Sequence, residues 1–300
     1  MLLRQIRYFH EVVRFDSFTE AAEECHISQS AISQQIAALE AELNVKLMDR
    51  HNRRFSLTPA GEYFYKKSLV LSAELEQMCR ETVRLARQET AQITIGYLRN
   101  CEGPELQRAI AEFARRYPDI TIQTESRSHE GLYDMLRFGN ADIVLNDQRR
   151  AFSDEYVNLV LAEGKSCVEV SANSPLAQLE SVDIQDLRNT VCILVAVGEE
   201  RESEEEYYRS IIGFHGDFLF ADTLDEARLL VLSNRGVMPL DEVGTPAERQ
   251  SVPIVRIPLC RNGKRLTRNY CAFWKAKPPE RTGQPGEYVK EFAEILKREL

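Results

Sequence analysis

No apolar run in this 300-residue chain is longer than residues 191–197, far short of the roughly 20 residues that a membrane-spanning helix needs, so no membrane partner is expected. A secretory leader is missing too. Charges interrupt Met1-Leu-Leu-Arg-Gln-Ile-Arg7 and no small-residue cleavage site follows, which predicts a cytoplasmic protein. Cysteine is present but without pattern: Cys25, Cys79, Cys101, Cys167, Cys192, Cys260 and Cys271 are odd in number and contain no C-x-x-C pair, which argues against a disulfide framework. Among the five histidines only His26 adjoins a cysteine, and neighbouring side chains on a helix diverge, so no metal site is expected. The chain also lacks a G-x-S-x-G elbow, a glycine-rich phosphate loop and an acid/base pair at a recognisable spacing, so neither an enzyme nor a bound cofactor is expected.

What is present is ample core material. Hydrophobic residues make up 43% and charged residues 28%, and at roughly 100–200 residues per domain the length suggests two domains. A net charge of −9 argues against a protein that coats nucleic acid, yet the charge is unevenly spread. Residues 1–67 hold nine Lys/Arg and nine Asp/Glu, so the whole excess lies beyond them. Within that neutral segment Lys46, Arg50, Arg53 and Arg54 crowd together, opposed only by Asp49.

Leu3, Ile6, Phe9, Val12 and Val13 repeat with helical spacing. Ser17-Phe-Thr-Glu20 then fits a capping box that starts a second, short helix ending near Cys25. His26 and Ile27 form a tight turn, Ser28 is another good N-cap, and Ile32, Ile36 and Leu39 mark one face of a third helix. Two short helices joined this tightly make a helix-turn-helix, whose second helix enters the DNA major groove. Its opposite face carries Ser30, Ser33, Gln34 and Ala37, with Gln29 at the leading end. Amides and hydroxyls suit base edges and phosphates, although an ordinary solvated face has the same composition. The neighbouring sequence favours DNA: His51-Asn-Arg-Arg54 followed by the alternating Phe55-Ser-Leu57 reads as a basic hairpin, a wing beside the recognition helix.

Ser17-Phe-Thr-Glu-Ala-Ala22, Ser28-Gln-Ser-Ala-Ile-Ser33, Gln35-Ile36, Leu39-Glu40, Leu43, Leu47-Met48-Asp-Arg50 and Leu57-Thr-Pro-Ala-Gly61 together resemble the N-terminal signature of LysR-type transcriptional regulators. The resemblance implies that Gln29, Ser30, Ser33 and Gln34 contact bases and nearby phosphates of double-stranded DNA, while Arg50 and Arg53 hold the backbone from the wing. The sequence departs from the pattern at Ser30, where many members have proline, and at Gln34, where many have a basic residue.

Thr58 is a plausible N-cap with Pro59 in the first turn, where a missing N–H costs nothing. Beyond it Phe64, Ser68, Leu71, Leu75, Met78, Thr82 and Leu85 step by alternating fours and threes, a heptad seam flanked by charges. A surface helix packed on its own domain would also account for the pattern; the resemblance implies a linker helix, residues 59–89, that forms a homodimer, with homotetramers usual in the family. The DNA-binding domain is expected over residues 1–58 and an effector-binding domain over residues 90–300.

From residue 92 strands alternate with helices, the pattern of a parallel sheet covered on both faces. Strands are expected at 92–96, 120–125, 141–145, 157–161, 167–171, 191–197, 217–221, 236–240 and 270–274, and helices over Leu106, Ile110, Phe113 and Tyr117 behind Pro104 and near 132–138, 204–212, 224–233 and 285–300. The resemblance implies a periplasmic-binding-protein-like fold of two Rossmann-like subdomains, 90–162 with 266–300, and 163–265. The chain would cross between them near 162–166 and return near 261–267. A small-molecule effector is then expected in the cleft at the strand ends, which supply Tyr97, Arg99, Asn100, Cys101, Ser126, Arg127, Ser128, Asn146 and Asp147. Arg99, Asn100, Ser128, Asn146 and Ala196 fall nearest to the effector positions of the family. Arg99 and Arg127 suit an anionic metabolite, unless both pair with surface acids. The acidic run 199–206 is expected to be a solvated face. A thiol switch on the same scaffold, first at Cys101 and Cys192, is the other reading.

Overall fold

The computed structural model describes residues 3–51, 54–86, 91–101, 103–198, 200–244, 252–277 and 285–300; the side chains of Arg50, His51, Arg54, Gln77, Arg80, Glu81, Arg84, Leu85 and Pro285 are not part of that description. The chain forms two compact units, Met1–Gln88 and Glu89–Leu300.

In the first unit α1 (Leu3–Phe15), α2 (Phe18–Glu24) and α3 (Gln29–Leu43) precede a hairpin of β1 (Met48–His51) and β2 (Arg54–Leu57), and α4 (Pro59–Ala86) follows. The caps are local. Ser17 Oγ accepts from the Glu20 amide at 3.3 Å and Ser28 Oγ from the Ala31 amide at 3.2 Å, each satisfying an orphan N–H of its first turn. The α2–α3 corner turns at His26, whose φ is +55°, and α3 ends at Asn44 in the left-handed region. Phe9, Val12, Ala21, Ala22, Ile32, Ile36 and Leu39 close a core over which Leu47 and Met48 of the hairpin pack. Each large apolar side chain buried there contributes roughly 1.5–3 kcal/mol.

In α4 the heptad seam divides. Phe64 lies edge-on against Phe9 with ring centroids 5.6 Å apart, and Ser68 Oγ is 2.7 Å from His10 Nε2, so the first two seam positions are spent on α1. Leu71 and Met78 are 49% and 58% exposed. The seam side chain of Leu85 lies outside the described residues.

The second unit contains β3 (Gln92–Leu98), α5 (Pro104–Arg116), β4 (Thr121–Arg127), α6 (His129–Arg137), β5 (Ile143–Asp147), β6 (Tyr156–Ser171), β7 (Val182–Asp183), β8 (Cys192–Val195), α7 (Glu200–Glu206), β9 (Phe218–Ala221), α8 (Leu224–Leu232), β10 (Met238–Glu242), β11 (Ile254–Arg261), β12 (Lys264–Arg265), β13 (Thr267–Lys275) and α9 (Pro285–Glu299). β3 pairs in parallel with β4 and β5, and β13 runs antiparallel between β5 and β6. Further along, β6 pairs antiparallel with β10 and β11, while β8 and β9 pair in parallel. Two lobes result. One centres on Ile95, Phe113, Ile143, Leu145 and Phe292, the other on Val168, Val182, Leu194, Phe214 and Ile257.

Two expectations need correction here. The strands expected at 157–161 and 167–171 are one continuous strand, Tyr156–Ser171, and the crossing at 162–166 is made without leaving it. A Cβ on Gly164 would lie 3.3 Å from the Arg268 carbonyl oxygen, so glycine here serves the close approach of β13. The helix expected at 204–212 is α7 followed by a π-helical turn, Tyr207–Ile212. β11 is not among the expected strands: Pro258 stands in its interior, and its apolar residues do not alternate.

Candidate functional site

On α3 the buried stripe of Ile32, Ile36 and Leu39 leaves Gln29, Ser30 and Gln34 exposed and Ser33 half-buried. Ser28 Oγ, besides capping, lies 2.9 Å from Ser30 Oγ. The wing is tied to this helix by Glu40, which is 6% exposed. Its Oε1 accepts from the Leu47 and Met48 amides at 2.8 and 3.1 Å, and its Oε2 lies 2.7 Å from Lys46 Nζ. Burial alone would raise the Glu40 pKa, but Lys46 and the two amides outweigh it and hold the carboxyl below its ordinary value.

A second clasp closes from the other side. Thr58 donates its hydroxyl to the Lys46 carbonyl at 2.8 Å and accepts from the Gly61 amide at 2.9 Å. A Cβ on Gly61 would fall 1.9 Å from the Leu47 carbonyl oxygen, so only glycine lets α4 pass this close. The backbones of Arg50 and Arg54 stand on the two wing strands, opposite Phe55 and His51. Their side chains, and the whole of Arg53, lie outside the described residues.

In the second unit a cavity of about 350 Å³ opens between the lobes, lined by Tyr97 of β3, Arg99 and Cys101 just after it, Thr124 and Ser126 of β4, α5 side chains, and Asp222, Thr223 and Leu224 at the start of α8. That size suits a small metabolite. Asn100 lines an adjoining pocket with Cys101, Tyr208 and Arg268. The remaining expected residues have other employment. Arg127 is paired with Glu125. Ser128 caps α6 by accepting from the Gly131 amide at 3.2 Å. Asn146 is fully buried, donating to the His129 carbonyl at 3.1 Å and accepting from the Asp147 amide at 3.0 Å. Ala196 is likewise buried, and its carbonyl accepts from Arg201 Nε at 3.2 Å.

The acidic run is solvated as expected at Glu202 and Glu206, but not throughout. Glu200 and Glu204, one turn apart on α7, point inward rather than to solvent. Glu200 Oε2 is 3.2 Å from Arg99 Nη2, and both Glu204 oxygens are 3.1 Å from Arg149 Nη1. Arg149 Nε also meets Asp147 Oδ2 at 2.9 Å, and its guanidinium lies 3.8 Å from the centre of the Tyr207 ring.

Asp147 gathers the rest. It accepts from Arg268 Nη1 at 2.9 Å, and its Oδ1 is 2.8 Å from His129 Nδ1; Arg268 Nη2 meets Asp241 Oδ2 at 2.8 Å. Burial would raise the Asp147 pKa, but Arg149, His129 and Arg268 overwhelm it and hold the carboxyl far below the ordinary range. Burial opposes the charge on Arg149 too, and Asp147 and Glu204 more than restore it. This network joins the end of β5 in one lobe to α7 and β10 in the other, through pairs such as Arg149–Glu204 and Arg268–Asp241 that sequence periodicity does not connect.

The cysteines divide. Cys192 is fully buried and its thiol is pushed well up by burial, which disfavours the reactive thiolate. Cys101 is half-buried and its thiol lies 3.8 Å from Glu105 Oε1, a carboxylate neighbour rather than a cationic one. Among the described residues no group of three metal-ligating side chains assembles, and no helix is long and apolar enough to cross a membrane.

Comparison with known proteins bears on both units. The family described as "Bacterial regulatory helix-turn-helix protein, lysR family" matches residues 3–62, and the "LysR substrate binding domain" matches residues 86–300. The HTH-type transcriptional regulator BenM of Acinetobacter baylyi is 29% identical over 261 residues, which span 86% of this chain and 84% of BenM. The crystal structure of CbnR, a LysR family transcriptional regulator, superposes at a TM-score of 0.58 with 17% identity, over 100% of this chain and 99% of that one. Full-length CbnR complexed with its target DNA superposes at 0.56 with 18% identity, over 100% of both chains. At those identities the two structures establish the fold. With a recognition helix, a wing and a two-lobed sensor all in place, the chain belongs to the LysR family: it is a DNA-binding transcriptional regulator with an effector-binding domain.

Proposed function

We propose that this regulator reads operator DNA as a homodimer and that a small anion held between the two lobes sets its output. One observation carries the reading: Gln29, Ser30 and Gln34 stand exposed on α3, opposite a stripe that is fully buried. In this account residues 1–58 read DNA, 59–89 join two chains and 90–300 sense the effector. Gln29, Ser30, Ser33 and Gln34 meet base edges and nearby phosphates, while Arg50, Arg53 and Arg54 grip the backbone from the wing. The exposed Leu71 and Met78 support pairing of linker helices, which places two recognition helices a multiple of the DNA turn apart. A homotetramer then follows from two such dimers.

Tyr97, Arg99 and Cys101 supply the cavity wall that meets the effector, and Asn100 lines the pocket that adjoins it. An effector that favours one arrangement of the lobes shifts the population toward it and alters the spacing or bend imposed on DNA. The protein acts in the cytoplasm as a regulator rather than an enzyme.

Footprinting on the DNA flanking its own gene tests the dimeric reading. Two protected half-sites on one face of the duplex are expected, and a Leu71→Glu/Met78→Glu variant that sediments as a monomer should lose them. A single protected half-site, unchanged in that variant, would contradict it.

A further inference from the structure

Glu200 and Glu204 dock the same helix onto the opposite lobe, but they are held very differently. Glu204 is 6% exposed, touches Arg149 with both oxygens, and Arg149 is itself fixed by Asp147 and the Tyr207 ring. Glu200 makes one contact to Arg99, at 3.2 Å, and one long contact from the Ser128 amide, at 3.4 Å. We propose that the Glu200 carboxylate is a resident stand-in for the effector: it occupies an anion position made by Arg99 and the first turn of α6, and a small carboxylate-bearing metabolite entering the cleft takes its place. The proposal rests on the reading of the cleft as an effector site.

Three features support the exchange. Arg99 offers its fork only in part, since Nη2 is engaged while Nε is buried with no hydrogen-bond partner among the described residues. A free carboxylate binding side-on satisfies both nitrogens, which the tethered one does not. The α6 end of the position is shaped for an oxygen. Gly131 stands inside the first turn, where glycine costs helix stability, and a Cβ there would lie 3.1 Å from Glu200 Oε1. Finally, Arg99 lines the 350 Å³ cavity, so an incoming anion reaches it without dismantling the lobe. Displacement frees the start of α7 while Glu204 keeps its other end pinned, which makes α7 a lever between lobes with Glu204–Arg149 as its pivot.

An intramolecular competitor acts at an effective concentration on the order of millimolar, so removing its charge should tighten anion binding about 10-fold or more. The test is calorimetric titration of the full-length protein with sodium succinate and with sodium sulfate, sodium chloride serving as control. Glu200→Gln is expected to bind succinate at least about 10-fold more tightly than the parent chain, and adding Arg99→Gln to that variant should abolish the gain. Equal or undetectable binding in parent and Glu200→Gln, or a gain that survives Arg99→Gln, would overturn the proposal. Folding of each variant is read independently from its thermal transition and its DNA binding. A parent chain that selects DNA while Glu200→Gln shows no gain overturns the stand-in alone; failure to select DNA overturns the regulator reading and leaves the anion result standing.

Discussion

Glu40 Oε1 lies 2.8 Å from the Leu47 amide nitrogen, so a carboxylate on the recognition helix fixes the point where the wing begins. With the Met48 amide as a second donor at 3.1 Å, Glu40→Ala leaves two buried N–H groups without partners. The expected cost is about 2–3 kcal/mol, measured by urea unfolding, together with weaker DNA binding. Full stability and affinity in Glu40→Ala would show that the wing is held by other contacts.

The reading surface and the wing make separable contributions. Gln29→Ala and Ser33→Ala are expected to reduce the preference for the best sequence over its single-base variants by about 1–3 kcal/mol per lost bidentate contact, and by less for Ser33. Arg53→Ala should instead weaken binding to every sequence and reduce the salt slope by about 1. Competition binding at two salt concentrations distinguishes the patterns.

Asp147 is the hub on which Arg149 and Arg268 converge, both of them largely buried. Removing its charge takes one carboxylate from each of two buried cations and leaves Arg149 to Glu204 and Arg268 to Asp241, so Asp147→Asn is expected to cost up to about 3–5 kcal/mol in the second unit. Because the folded pKa is held far below 3.8, the stability that Asp147 contributes is present above about pH 4 and is lost as pH falls further. A parent-like melting temperature for Asp147→Asn would refute the role of the network in joining the lobes.

His10 gives the first unit a pH dependence of its own. Burial lowers its pKa from 6.5 to about 4, while Ser68 Oγ sits 2.7 Å from Nε2. The unfolded chain therefore takes up a proton before the folded one does. Stability is complete above pH 6.5 and declines as pH falls from there to about 4. Since His10 is partly open to solvent, the expected loss is discounted to about 1–2 kcal/mol. Unfolding of His10→Gln across that range should lack the decline.

Much of the first unit was legible because its signals are local. Ser17, Ser28 and Thr58 each cap an amide three residues further on, and Ile32, Ile36 and Leu39 share a face whatever lies elsewhere in the chain. The second unit was legible in its alternation of elements but not in its joins. The stretch Glu163–Lys165 is held extended by β13 along one edge and, at Lys165, by β10 along the other, neighbours that lie far off in the chain. The acidic run reads as a solvated face until Arg99 and Arg149 are brought to it, from 101 and 55 residues away. Asn146 and Ala196 lie near the cleft in sequence order, but the Asn146 amide is taken up by the His129 carbonyl and the Asp147 N–H, and the Ala196 carbonyl by the Arg201 side chain. The one local signal for the network is Asp147-Gln-Arg149, two opposite charges at and just beyond the end of the buried strand β5.

The most direct measurement is selection of bound DNA from a library of random duplexes by the full-length protein at modest ionic strength. The account predicts one enriched motif with two related halves, whose base preferences relax in Gln29→Ala. Recovery of no motif, or of the same motif from a variant with Gln29, Ser33 and Gln34 all changed to alanine, would contradict it.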